Sequence, residues 1–210
     1  MRILLIITDY GSFNNFLSEL SIALSDRQYE VHVVSSKENI INIKDKADYH
    51  KYNIIFHDIS IPREISFVKL IKSAYQISKL IKIIKPDLVH SHFTTANFPT
   101  LLLRLNNVTY WGTFHGLGMN ASKGLKRIIF SVVEYFCFLR LDRIFLVNNK
   151  DLNLVQRYFT KKATKYTSYG FGCDIKKFDK SSLSYESLKS LRRQLNINNE
   201  FVIIYTGRYV

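Results

Sequence analysis

Short apolar runs alternate along this chain with longer segments in which apolar residues recur every three or four positions. The first run is Ile3 to Ile7, and the apolar residues that follow at 13, 16, 17, 20 and 24 are spaced as on one face of a helix. Later apolar runs include YEVHVVSS, DLVHSHF, VTYWGTFH and DRIFLVNN. Runs of this length predict buried strands, and the periodic segments between them predict helices.

A long helix is predicted after the segment YNIIFHDISI, and Pro86 is expected to end it because proline lacks the amide that a helix needs. The apolar positions predict a buried face of Ile65, Val68, Ile71, Tyr75, Ile77/Ser78, Ile81 and Ile84. Strands and helices in regular alternation are typical of a parallel sheet covered on both faces. Right-handed crossovers then give an α/β, Rossmann-like, doubly wound parallel sheet.

In such a sheet, ligands bind at the carboxyl ends of the strands, and two of the predicted strand ends carry histidine. His90 and His92 are two positions apart and therefore share a face, and His115 ends another strand. Three imidazoles are a possible ligand set for zinc. The alternative is that His90 packs inside the sheet through hydrogen bonds while His92 and His115 border a loop.

Composition and charge narrow the class of protein. Hydrophobic residues make up 47% of the 210 residues and charged residues 22%, as in globular domains. The 30 Lys and Arg against 17 Asp and Glu give a formal charge of +13, which indicates an acidic partner or surface. Cys137 and Cys173 show no metal-ligand spacing, so we expect a reduced, cytoplasmic protein. No apolar stretch reaches the roughly 18 residues of a membrane span.

The remaining sequence patterns argue against two other kinds of partner. The segment TDYGSFNNF has one glycine where the dinucleotide-binding fingerprint has three, so a nicotinamide cofactor is not expected. Nucleic acid is not expected either, because no recognition helix, zinc finger or aromatic platform accompanies the basic residues.

The segments KPDLVHSHF, GTFHGLG, LVNNKDLNLV, GFGCDIKKF and VIIYTGRYV have the order and spacing of retaining glycosyltransferases of the GT-B fold. The chain resembles family 4 of these enzymes, and most closely the bacterial members that build O-antigen, capsule or exopolysaccharide. The resemblance spans nearly the whole chain but only the first half of a family member. It implies a Rossmann-like, acceptor-side domain that faces a donor-binding domain across a cleft.

The resemblance also implies domain boundaries. Gly172, Asp174 and Phe178 match the family's linker, with Cys173 in place of the usual valine. The expected division is an N-terminal acceptor-side domain at 1–178, a linker with a connecting helix at 179–200, and the first strand of the donor domain at 201–210. The lysine of the G-R-x-x-x-x-K-G motif and the later E-x7-E segment do not occur, so we expect a truncated enzyme that is inactive alone.

The resemblance assigns roles to several residues. His115 matches the histidine that faces the transferred sugar and is the catalytic candidate, and Gly116 lets the backbone approach the ligand. Gly11 and Ser12 in the first strand–helix loop, and His92 beside Ser91, are candidate substrate-binding residues. The last pair, Gly207 and Arg208, is expected to bind the donor diphosphate. Asn148 and Asn149 are predicted to cap the following helix.

The implied substrates are a nucleotide sugar and a lipid-linked saccharide acceptor, with no metal or other cofactor, because protein cations would stabilise the leaving diphosphate. Basic residues then predict a peripheral position on the anionic inner face of the cell membrane, the alternative being a solvated polar face; they are Lys69, Lys72, Lys79, Lys82, Lys85, Lys123, Lys126, Arg127, Arg140 and Arg143. The alternative is a non-catalytic, membrane-associated subunit that recruits a separate donor-binding domain. A nucleotide-sugar epimerase would need paired carboxylates at strand ends, where only Asp9 occurs.

Overall fold

Parallel strands form the centre of the first of two units, Met1–Phe171 and Gly172–Val210, into which the chain divides. The computed structural model describes residues 1–37, 49, 51–166, 175, 179, 181, 183–198 and 200–205. Seven strands lie within these residues: β1 Arg2–Asp9, β2 Glu30–Ser36, β3 Ile54–Asp58, β4 Leu88–His92, β5 Thr109–Phe114, β6 Arg143–Leu146 and β7 Ala163–Lys165. The domain boundaries at 178 and 200 stay predictions.

Helices connect the strands, and the described residues contain eight of them. They are α1 Tyr10–Phe16, α2 Ser18–Asp26, α3 Phe67–Ile84, α4 Thr94–Leu102, α5 Gly118–Ala121, α6 Gly124–Arg140, α7 Asn149–Tyr158 and α8 Tyr185–Gln194. The strand order is β3-β2-β1-β4-β5-β6-β7, and every neighbouring pair is parallel. The predicted α/β doubly wound fold is therefore confirmed.

The strand order reverses between β1 and β4, which pair directly although they are far apart in the chain. Crossovers leave β1 toward one side and β4 toward the other, so a crevice opens outside the carboxyl ends of these two strands. Asp9 is the last residue of β1 and His92 is the last residue of β4. The topology thus brings the predicted strand-end residues to one edge of the sheet.

Two apolar cores cover the two faces of the sheet, as alternation along β1 shows. Ile3, Leu5 and Ile7 belong to one core, whereas Leu4 and Ile6 belong to the other. The first core packs against α1 and α2, and the second packs against α3, α4 and α6. Because β1 is buried on both faces, it is apolar at every position from 3 to 7.

The buried face of α3 differs from the one that apolar spacing predicted. Ile77, Ile81 and Ile84 are buried as expected, but Val68 and Tyr75 are 81% and 68% exposed. Leu70, Ser73 and Ala74 are buried in their place. The Ser73 hydroxyl is satisfied by the Ser60 carbonyl oxygen at 2.6 Å. The predicted buried stripe is therefore correct in the second half of α3 and wrong in the first half, where Val68, Ile71 and Tyr75 are exposed.

The predicted first helix is divided in two at Leu17, where the backbone leaves the helical conformation (φ −124°, ψ −11°). In the second unit, the predicted connecting helix is present as α8, capped by the Ser184 hydroxyl, which accepts from the Ser187 amide. Residues 201–205 are neither helix nor strand and their side chains are exposed. Gly207 and Arg208, and the linker residues 172–174 and 178, lie outside the described residues. Across the described ranges, every helix is too short or too polar to span a membrane.

Candidate functional site

Two histidines meet at the carboxyl edge of the sheet. His92 is the last residue of β4, and His115 follows directly after β5. Nδ1 of His92 lies 3.3 Å from Nε2 of His115, although 23 positions separate them in the sequence. Neighbouring parallel strands explain the contact, because β4 and β5 pair in a register that places His92 opposite Thr113. The structure therefore brings together the catalytic candidate and one of the substrate-binding candidates.

Aromatic rings from two other segments hold the His115 imidazole. The Phe93 ring stacks on it with centroids 4.0 Å apart and planes at 22°, and the Phe16 ring meets it edge-on at 4.7 Å. Phe93 adopts φ 72° and ψ 149°, a conformation that costs a non-glycine residue about 1–3 kcal/mol and tends to occur at functional sites. Because the ring of this strained residue stacks on His115, the imidazole has little freedom to rotate.

Gly116 follows His115 with φ +132°, which is in the region that side chains avoid. No atom lies within 4 Å of where a Cβ would stand, so space does not demand glycine there. The requirement is conformational: the chain turns sharply away from the sheet directly after the histidine. The positive φ is therefore the structural reason for glycine here, and the predicted approach of a ligand to this backbone stays a prediction.

His90 has a different environment from the other two histidines. Its Nε2 lies 2.8 Å from the Thr113 hydroxyl oxygen, which in turn lies 2.9 Å from the Tyr166 hydroxyl oxygen. The His90 ring is buried, and its contacts link β4 to β5 and to the residue after β7. This is the packing arrangement that the sequence offered as the alternative to a zinc ligand. Within the described residues, no group of three His, Cys, Asp or Glu side chains is arranged to hold a metal ion.

Burial keeps the histidines of this cluster neutral. Desolvation lowers the pKa of His115 from 6.5 to about 4 and that of His90 to about 3, with the nearby His115 adding to the effect on His90. Desolvation also lowers the pKa of His92 well below 6.5, and the neighbouring imidazoles lower it further. At neutral pH each ring is therefore both a donor and an acceptor. Nε2 of His92 is buried and has no hydrogen-bond partner within the described residues.

Two buried carboxylates hold the loop that follows His115. Glu134 of α6 accepts hydrogen bonds from the amides of Gly118 and Met119, at 2.7 and 3.1 Å, and from the Thr94 hydroxyl at 2.7 Å. Asp151 of α7 accepts from the Leu117 amide at 3.2 Å. Burial raises the pKa of Glu134, although these three hydrogen bonds oppose the shift. The backbone from 117 to 119 is thus fixed from two helices.

The junction between β1 and α1 is organised by the Asp9 carboxylate. Its Oδ1 accepts from the Ser12 amide and its Oδ2 from the Ser12 hydroxyl, both at 2.9 Å, so Asp9 caps α1. The Arg63 guanidinium forms an ion pair with Asp9 Oδ2 at 3.0 Å. Hydrogen bonds to Ser12, Thr8 and Arg63 lower the pKa of Asp9 even though burial, the largest single influence, acts to raise it. Gly11 and Ser12 were expected in a loop, but they lie in the first turn of α1, which begins directly after β1, at the expected edge of the sheet and beside the Asp9 carboxylate.

Sequence reasoning found the histidines and the strand ends but missed the residues that position them. Glu134 had a visible signal, since it is the only charged residue in the apolar segment IIFSVVEYFCFL. Phe93 and Phe16 had none, because their contact with His115 depends on how the loops fold. The capping prediction is confirmed for Asn148, whose Oδ1 accepts from the Asp151 amide at 2.8 Å, whereas Asn149 is the first residue of α7.

An all-parallel Rossmann-like sheet with its candidate residues at the carboxyl edge is the architecture of one half of a GT-B glycosyltransferase. The chain belongs to the Glycosyl transferase 4-like family, which matches residues 2–149. It is 24% identical over 193 residues to the UDP-Gal:alpha-D-GlcNAc-diphosphoundecaprenol alpha-1,3-galactosyltransferase of Escherichia coli, covering 88% of this chain and 47% of that enzyme. The chain thus spans about half the length of this relative.

Solved structures share the fold. The sucrose-phosphate synthase of Thermosynechococcus elongatus superposes with a TM-score of 0.66 at 15% identity, covering 94% of this chain and 53% of that one. Anabaena HepE, solved in complex with UDP and glucose, superposes with a TM-score of 0.63 at 12% identity, covering 92% of this chain and 50% of that one. At these identities the likeness extends to the fold alone.

Proposed function

We propose that this chain is the acceptor-side part of a retaining glycosyltransferase. It would transfer a hexose or N-acetylhexosamine from a nucleotide sugar to a lipid-linked saccharide in surface polysaccharide biosynthesis. The observation that carries the proposal is the neutral, clamped His115 at the carboxyl edge of the sheet, in a chain of the Glycosyl transferase 4-like family. The similar galactosyltransferase is named for a lipid diphosphate acceptor, which supports the acceptor class.

The chemistry of the site fits this role. A neutral imidazole can accept a hydrogen bond at one nitrogen and donate one at the other, which suits a sugar hydroxyl, and a pKa of about 4 keeps it neutral throughout the physiological range. The second imidazole, that of His92, contacts His115 through Nδ1, while its Nε2 has no hydrogen-bond partner within the described residues. Clamping by Phe93 means that little freedom is lost when a sugar binds.

The proposal is tested by fusing this chain to the donor-binding domain of the similar E. coli enzyme. We expect UDP release from UDP-galactose only when an N-acetylglucosaminyl diphosphate lipid is present, with an α-linked product from the α-linked donor. Activity should persist in EDTA, since we propose that protein cations stabilise the leaving diphosphate. A folded fusion that binds UDP-galactose but transfers nothing would contradict the proposal and favour a non-catalytic subunit.

We further propose that the protein associates with the cytoplasmic face of the membrane through α6. Five large side chains at spacings of three and four form an exposed stripe on this helix: Leu125, Ile128, Val132, Tyr135 and Leu139, exposed by 72%, 62%, 65%, 45% and 58%. We call this set the α6 stripe. Lys126 and Arg127 lie beside it in the sequence. An apolar stripe with flanking cations fits the interface of an anionic bilayer.

The protein should therefore bind vesicles that contain phosphatidylglycerol and leave them as salt rises, because about 0.1 M salt screens exposed charges beyond roughly 10 Å. Replacing Ile128 by glutamine should weaken binding about fivefold, since inserting this side chain contributes on the order of 1 kcal/mol. Cosedimentation measures both effects.

The matched control is Ile55→Gln, which changes an exposed isoleucine on β3 instead of α6. It should bind vesicles as the unchanged protein does. Equal binding to neutral vesicles, or equal losses in the two variants, would contradict a membrane role for the α6 stripe.

A further inference from the structure

A cavity with a cationic lining opens where β3 leads into α3. It has a volume of about 520 Å³, and its lining includes Arg63, Lys69 and Lys72 against one acidic residue, Glu64. Its walls are the loop that follows β3 and the first three turns of α3. Because β3 is parallel to β4 and β5, the cavity lies on the same edge of the sheet as His92 and His115. None of these cavity residues has a place in the site described above, apart from the pairing of Arg63 with Asp9.

The wall of this cavity is held in place by contacts on both sides. The Ser73 hydroxyl lies 2.6 Å from the Ser60 carbonyl oxygen and 2.9 Å from that of Lys69, which joins the loop to α3. Nε and Nη2 of Arg63 reach Asp9 Oδ2 at 3.2 and 3.0 Å, so this guanidinium is anchored at the end of β1. The contact with Asp9 uses only some of the five N–H donors of the guanidinium, and the Arg63 side chain is 56% exposed.

The charges of the cavity favour an anion. Lys69 and Lys72 lie on one face of α3 at a spacing of three, against the single carboxylate of Glu64, and Arg63 adds a guanidinium that is also paired with Asp9. The first turn of α3 carries no acidic residue and has no side-chain cap, so its amides add to the positive potential. The volume is within the usual range for small-molecule sites and large enough for a diphosphate with part of its attached group.

The first turn of α1 is a poorer place for such an anion. The Ser12 amide and hydroxyl already donate to the Asp9 carboxylate, which would repel a phosphate brought close to it. Arg63 neutralises Asp9 on the side that leads to the cavity. The positive potential at this edge is therefore displaced from α1 toward Arg63, Lys69 and Lys72.

We propose that this cavity binds the diphosphate of the acceptor, with Lys69, Lys72 and the free donors of Arg63 as its ligands. The identity of the occupant rests on the proposed function, since a lipid-linked acceptor is what brings a diphosphate to this domain. That the cavity binds a diphosphate at all does not depend on the proposed function. Glu64 faces the same cavity and lowers the affinity for the anion.

The test is calorimetric titration of the full chain with inorganic pyrophosphate. We expect pyrophosphate to bind at least tenfold more tightly than inorganic phosphate, and Lys69→Gln/Lys72→Gln to weaken it at least tenfold. The matched control is Lys79→Gln/Lys82→Gln, which removes the same charge at the same spacing from the same helix and should change the Kd less than twofold. Glu64→Gln should tighten binding about threefold, a gain that a misfolded variant would not show.

Three outcomes would overturn the site. The first is equal weakening of pyrophosphate binding in both double variants, and the second is unchanged pyrophosphate binding in Lys69→Gln/Lys72→Gln. The third is that Lys69→Gln/Lys72→Gln loses binding to phosphatidylglycerol vesicles but not to pyrophosphate. The last would mean that the lysines contact lipid headgroups instead of a diphosphate. The experiment uses neither donor nor acceptor sugar. A chain that binds pyrophosphate through these lysines but transfers no sugar when fused to a donor domain would refute the proposed function and leave the cavity site standing.

Discussion

Replacing His115 by alanine should lower sugar transfer at least tenfold while leaving the fold intact. The imidazole is partly exposed at the carboxyl edge of the sheet, and we propose that it contacts the transferred sugar. Its loss removes one neutral donor–acceptor group from that contact, whereas Phe93 and Phe16 can close over part of the vacated space. The rate is measured in the fusion with a donor-binding domain, and folding by far-UV circular dichroism and a thermal melt.

His90→Ala is the control for this experiment, because it removes a neighbouring imidazole that has a structural role. Its loss breaks the contact with Thr113 and leaves a cavity between β4 and β5. We expect a lower melting temperature with turnover largely kept in the molecules that remain folded. Turnover by His115→Ala at the level of the unchanged fusion would refute the catalytic assignment.

Mild acid should destabilise this protein strongly, because its buried histidines must gain protons on unfolding. The pKa is lowered from 6.5 to about 4 for His115 and to about 3 for His90, and it is well below 6.5 for His92. A lowered folded-state pKa gives stability that is fully present above pH 6.5 and is lost as the pH falls toward the folded value. Each histidine contributes up to about 1.4 kcal/mol per pH unit in that window.

Other titratable groups also change the free energy of unfolding as the pH falls, and the shift of each pKa gives the direction of its contribution. His57 adds to the loss, since desolvation, followed by the charge of His32, lowers its pKa. Glu134 opposes the loss, because burial raises its folded pKa, so it gains its proton in the folded state first as the pH falls. Asp9 acts only at lower pH, since its pKa lies below the usual 3.8.

The measurement is urea unfolding at pH 7.0, 6.0 and 5.0. We expect the free energy of unfolding to fall steeply between pH 6 and pH 5, by about 3 kcal/mol if the three clustered histidines act together. His90→Asn should flatten this dependence by about one proton, even though it lowers stability at every pH. A free energy of unfolding that stays constant from pH 7 to pH 5 would show that these imidazoles are already hydrated.

Local pattern was sufficient for the alternation of strands and helices. The long helix ends before Pro86, as predicted; its last residue is Ile84, and Lys85 adopts the left-handed conformation that closes a helix. The stripe by which α3 is buried was not predictable in the same way. Apolar spacing selected Val68 and Tyr75, which are exposed, whereas the small residues Ser73 and Ala74 are buried on the helix, which packs against α4. Which face is buried depends on the shape of the partner.

By itself, the sequence determined that His92 and His115 end strands of a parallel sheet, and therefore that they lie at its carboxyl edge. This follows from periodicity, because parallel strands all end on the same side. Only the tertiary structure decided that β4 and β5 are neighbours in register, which brings the two rings to 3.3 Å. The same holds for Phe93 and Glu134, whose contacts with the site cross between segments distant in sequence. Strand order and loop conformation arise from the packing of the whole domain, and no local pattern of residues encodes them.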